Sequence, residues 1–138
     1  MTVGIKVDGI IDELGSADFV HAFFSTISFH LEPCGWGTKF PVLMNELYQG
    51  TLPSSKAASA LDELRVARER LRHVGPDQVV WDIKDSTKQP PWGDAISSDI
   101  TDLSNYFVTS TGRDLFETLM EVLEESTRVG KDATIGSC

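Results

Sequence analysis

His30 and Cys34 stand four residues apart, the spacing at which one turn of helix could bring an imidazole base to a thiol nucleophile. Such a pair would make a small hydrolase. Against it, Cys34 falls between Pro33 and Gly35, where a helix should end and side chains need not face each other. Asp82, Asp85, Asp94, Asp99 and Asp102 could in principle hold Mg²⁺ or Ca²⁺, the metal route to hydrolysis, but their spacing matches no calcium loop. His21 lies among Phe19, Phe23 and Phe24 in sequence, yet helical spacing turns it toward Ser25 and Ser28, as a surface residue rather than a ligand. No G-x-G-x-x-G, P-loop, H-E-x-x-H or cysteine cluster occurs, so no cofactor or metal is implied. The remaining chemistry is that of recognition. Trp36 and Trp92 both precede glycine in loops, where a large ring either pins the loop to the core or anchors a partner.

Those loops need elements to hold them. "TVGIKVD" alternates Val3, Ile5 and Val7 against polar or small residues, which predicts a first strand. From Ser16 as a cap, Phe19, Val20, Phe23, Phe24, Ile27 and Leu31 recur at helical spacing and predict an aromatic core helix. Residues 33–40 read as a loop carrying Trp36, and "PVLMNELYQG" as a short helix stopped by Gly50. Residues 54–73 predict a long helix with Leu61, Leu64 and Leu71 inward and a salt-bridged charged face outward. The β-branched and aromatic runs "QVVWDI" (78–83), with Trp81 in the core, and "NYFVTS" (105–110) predict two further strands. Between them "KQPPWGD" is denied regular structure by its prolines and glycine, and "SSDITDLS" suits a helical turn. Thr111 and Asp114 have the spacing of a capping box for a last helix bearing Leu115, Phe116, Leu119 and Leu123. This predicts an α+β fold: a single domain, residues 1–129, in which a small β-sheet packs against several amphipathic helices. Residues 130–138 are a short C-terminal tail that either frays or adds an edge strand through Ala133 and Ile135.

The chain has 138 residues, enough for one core, and 41% hydrophobic with 24% charged residues is an ordinary globular composition. With 12 basic and 21 acidic side chains its net charge is −9, so its field repels phosphate backbones and favours cationic partners. Direct nucleic-acid binding is excluded on that ground. No apolar run reaches the ~20 residues of a membrane helix and no signal peptide pattern is present, so the expected location is the cytoplasm, off the membrane. Two cysteines, Cys34 and Cys138, fit free thiols there. The apolar helix faces leave self-association as a homo-oligomer open.

Taken in order, "GIKV" (4–7), "AFFSTIS" (22–28), "WGTKFP" (36–41), "LYQG" (47–50), "VVWD" (79–82), "PPWGD" (90–94) and "LSNYFVTSTGRDL" (103–115) resemble the immunity protein 70 family of bacterial polymorphic toxin systems. The resemblance spans about residues 2–125, the length of a single domain. It implies a non-enzymatic inhibitor that binds and neutralises the C-terminal effector domain of a cognate toxin, a basic one on the charge argument, and so protects the producing bacterium. On that reading "PPWGD" is a proline-stiffened binding loop, with Trp92 as anchor, Asp94, Asp99 and Asp102 as a cation-facing rim, and the Trp36 loop as a second contact. The alternatives are the hydrolase of Cys34 and His30 or a carboxylate-bound metal, and a small-ligand module built on the Trp36 and Trp92 loops.

Overall fold

The computed structural model describes residues 2–138. β1 (Thr2–Val7) turns through Asp8 and Gly9 into β2 (Ile10–Ser16), with Val7 opposite Ile10. Asp8 and Gly9 have φ of 50° and 83°, the paired positive values of a two-residue turn that matches the twist of a hairpin. Ser16 ends β2 and caps α1 (Ala17–Leu31) by accepting a hydrogen bond from the Phe19 amide at 3.1 Å.

A π-helical turn at Leu43–Leu47 stands where a short helix was expected. The two-residue β3 (Thr51–Leu52) follows, then a 3₁₀ turn at Ser54–Lys56 and α2 (Ala57–Leu71), later and shorter than the expected 54–73. α3 (Leu115–Val129) is capped by Asp114 itself, which accepts from the Glu117 amide at 3.0 Å; the capping pair is Asp114 and Glu117, not Thr111 and Asp114. Gly130, at φ 69°, closes α3 in the left-handed conformation.

β4 (Ala133–Ser137) then enters the sheet, pairing antiparallel with β1, Ile5 opposite Ile135, and with β3. The sheet order is β2-β1-β4-β3, so the expected tail or edge strand is an interior strand joining the two ends of the chain. Ile5, Val7, Ala133 and Ile135 turn to the helices, while Lys6 and Thr134 on the alternate face are exposed. The result is an α+β domain with its helices on one side of an antiparallel sheet. At its centre Phe23 meets Phe24, Phe107 and Phe116 edge-on at centroid distances of 5.2, 5.3 and 4.8 Å.

The strands expected at 78–83 and 105–110 are absent. Residues 72–114 form a strap whose regular structure is one 3₁₀ turn, Pro76–Gln78, and an isolated bridge between Val108 and Asp114. Its backbone at Gln78, Val80 and Ile83 is bonded by side chains of α1 instead of pairing in a ladder.

Candidate functional site

The polar row of α1, which sequence spacing assigns to solvent, is where the strap binds. Thr26 Oγ1 accepts from the Val80 amide at 3.1 Å and donates to the Val80 carbonyl at 3.2 Å. Ser25 Oγ accepts from the Ile83 amide at 3.2 Å, and His30 Nε2 donates to the Gln78 carbonyl at 2.7 Å. Ser25 and Thr26 are fully buried as a result. His30 is therefore committed to the strap, while Cys34 sits exposed in the following turn, so the pair forms no nucleophile and base.

His21 is half-buried, not a surface residue. Its Nδ1 lies 2.7 Å from the Tyr48 hydroxyl and its Nε2 3.2 Å from Asp82 Oδ1. The partners dictate the tautomer: the Tyr48 hydroxyl donates to Nδ1, and Nε2 donates to the carboxylate. The Lys84 amide, 2.9 Å from Asp82 Oδ1, holds that carboxyl below the ordinary aspartate range, against partial desolvation and with help from His21 and Lys88. Burial, and then the Asp82 charge, push the Tyr48 hydroxyl up, so it stays protonated at neutral pH. An imidazole engaged at both nitrogens and a protonated phenol offer no free base or nucleophile; this row joins α1, the π-turn and the strap.

Trp36 stacks on His21 at 6.4 Å and 22° and donates from Nε1 to the Met44 carbonyl at 3.3 Å. With Tyr48, Gln49, Ile83 and Lys84 these rings line an open cleft of about 470 Å³. The Trp36 loop is held from beneath by Glu32, only 3% exposed, whose carboxylate accepts from the amides of Gly37, Lys39 and Phe40, each at 3.0 Å. Gly37, at φ 77°, has Asn45 against the space a Cβ would fill, so that turn requires glycine.

Trp92 lies at the tip of the second loop, 38% exposed. Its Nε1 donates to the Tyr106 hydroxyl at 2.8 Å, and its ring meets Trp81 edge-on at 5.3 Å. Trp81 is thus half-buried within the strap and not part of a core strand. Asp102 points into its own loop, accepting from the Ser104 hydroxyl, from the Ser104 amide at 2.8 Å and from Thr101 Oγ1 at 3.0 Å. Desolvation raises its carboxyl, but those donors pull it net below the ordinary value. Asp94 is exposed on the Trp92 turn and Asp99 on the turn after it; Asp99 is bonded to Ser97 and neither is in a salt bridge among the described residues. The five aspartates do not converge, and the described residues contain no group of three or more His, Cys, Asp or Glu able to hold a metal.

Two aromatic loops thus flank the cleft and the turn: the Trp36 loop leaves α1 and faces Ile83 and Lys84, and the Trp92 loop lies on the strap itself. A family model described as Immunity protein 70 matches residues 5–135. The chain belongs to the Immunity protein 70 family. The match takes in all of α1, the strap, α3 and most of β4, so the family extends past the expected limit near residue 125. The family's description is that of an immunity protein. No curated protein matches the chain, and no solved structure does. No helix among the described residues is long and apolar enough to cross a membrane.

Proposed function

We propose that this chain protects a bacterium, from within its cytoplasm, by binding and neutralising the C-terminal effector domain of a cognate toxin encoded beside it. The observation that carries the reading is the Immunity protein 70 match over residues 5–135. Protection by binding, without turnover, accords with the engagement of His21, His30 and Tyr48 in structural hydrogen bonds. The net charge of −9 favours a basic effector. The strap is the binding surface, with Trp92, Asp94 and Asp99 exposed on it, Asp102 holding its own loop in shape, and the Trp36 loop beside it as a second contact.

Co-expression with the neighbouring gene's toxic C-terminal domain tests this. The expected result is restored growth and a complex that copurifies. A toxic domain that neither associates with the chain nor is silenced by it overturns the reading.

A further inference from the structure

We infer that the Trp92 turn is straddled by a basic segment of the toxin domain, one cationic side chain entering a cleft on one side and one apolar side chain a groove on the other. The inference rests on the immunity reading above and specifies the chemistry of its partner.

The turn is closed by its own hydrogen bonds. Gly93, Ala95 and Ile96 donate amides to Pro90, Trp92 and Asp94 carbonyls, each at 3.0 Å, and the Trp92 ring is tied to Tyr106. A preformed turn loses little conformational freedom on binding. On one side of it lies a cavity of about 530 Å³ lined by Pro76, Val79, Pro90, Tyr106 and two carboxylates, Asp77 and Asp94. On the other side lies a groove of about 340 Å³ lined by Phe19, Trp92, Ile96, Ile100, Tyr106 and Val108. Tyr106 is shared by both, so they form one surface with an acidic side and an apolar side.

Charge selects the occupant. On the α2 and α3 surface the acids are answered within the chain: Asp62 and Glu124 by Arg65, Glu117 by Arg68, Glu69 by Arg72 and Glu125 by Arg128. Among the described residues no salt bridge reaches Asp18, Asp77, Asp94 or Asp99, and residues 89–112 contain no lysine or arginine. The surface beside Trp92 therefore holds unanswered negative charge, whereas the helical face is self-neutralised. Val108, 45% exposed, and Trp92 leave apolar area beside that charge, the pairing of anchor and rim that a specific interface uses.

The test measures association and dissociation between this chain and the effector domain of its neighbouring gene, at low and high salt. Asp77→Lys with Asp94→Lys should slow association about tenfold at low salt and flatten its salt dependence. Asp77→Asn with Asp94→Asn, which preserves side-chain shape, should do the same to a smaller extent should the lysine pair disturb folding. Val108→Ser, which removes apolar area without adding charge, should leave association nearly unchanged and speed dissociation about tenfold. The charge-matched control Asp62→Lys with Glu69→Lys on α2 should alter neither rate by more than about twofold. If the wild-type chain binds and the strap variants match it, the inference falls while the immunity reading stands. A wild-type chain that does not bind ends both. Strap variants that change the chain's own sedimentation, and not its toxin kinetics, would show that a second copy covers the groove, which also overturns the inference.

Discussion

The sheet with its three helices and the strap at 72–114 are built by different rules. In the first, β1 pairs along its length with both β2 and β4, and the helices close over Ile5, Leu14, Phe23 and Leu119. In the strap, amides are answered by side chains of α1, by Asp82, Asp85 and Asp102, and by scattered turns. Burial in the strap is concentrated in few residues, chiefly Leu103, Tyr106 and Phe107. A segment so held is ordered by single contacts more than by a cooperative ladder. It can therefore vary in sequence around its anchors without endangering the sheet, a property the docking surface proposed above would need.

The sharpest way to break this contrast is Phe107→Ala. That ring is the strap's plug in the core, against Phe23 and Phe19, so its loss should cost about 3–5 kcal/mol and shift the helical melt itself. If far-UV circular dichroism melts as in the wild type while only tryptophan fluorescence changes, the strap is an independent unit and the account is wrong. Glu32→Ala should cost about 3 kcal/mol, because the Gly37, Lys39 and Phe40 amides lose their acceptor, and denaturant titration would measure it. Thr26→Val removes both hydrogen bonds to Val80 for about 1–2 kcal/mol; amide exchange should quicken at Val80 and Ile83 and stay constant in β1 and β4.

Acid should separate the regions with a smaller effect. Asp82, Asp85 and Asp102 are held below the ordinary aspartate value of 3.8 in the folded chain, so what they contribute is complete above 3.8 and lost as pH falls through their lower folded values. Glu63, which accepts from the Leu43 amide, and the α3 cap Asp114 are raised by burial, and the folded state gains from their protonation. Acidification should therefore relieve these two acids first and loosen the strap afterward, visible as a fluorescence change of Trp81 and Trp92 below pH 3.8 that precedes loss of helix. Arg65→Ala, at an exposed pair of ion contacts, should move stability by less than about 0.5 kcal/mol.

The same contrast explains what could be read from the residues. α1, α2 and α3 follow from apolar stripes, because burial of one helix face imposes a period that the sheet and neighbouring helices share. β2 was hidden by the adjacent pair Ile10 and Ile11, which breaks alternation, although Asp8-Gly9 between β-branched residues is a hairpin signal. Residues 78–83 have a strand's composition, but their partners are Ser25, Thr26 and His30, and composition does not identify partners. A clue was present in α1: its polar row is hydroxyls and histidines with few charges, the chemistry of a face that bonds backbone rather than water. Trp92, Asp94 and Asp99 were legible as a loop, whereas Asp77 and Phe19 reach the same surface only through the fold.

The placement of β4 between β1 and β3 also sets a clock. Ala133–Ser137 are made long after Thr2–Val7, so the sheet can close only once β4 has left the ribosome. The hairpin of β1 and β2 and the individual helices can form earlier, but the seam that binds them waits. On the immunity reading, a cell that makes toxin and protector together is guarded only from that moment. Synthesis of the protector must then begin early enough to cover both translation and the closing of a long-range strand pair.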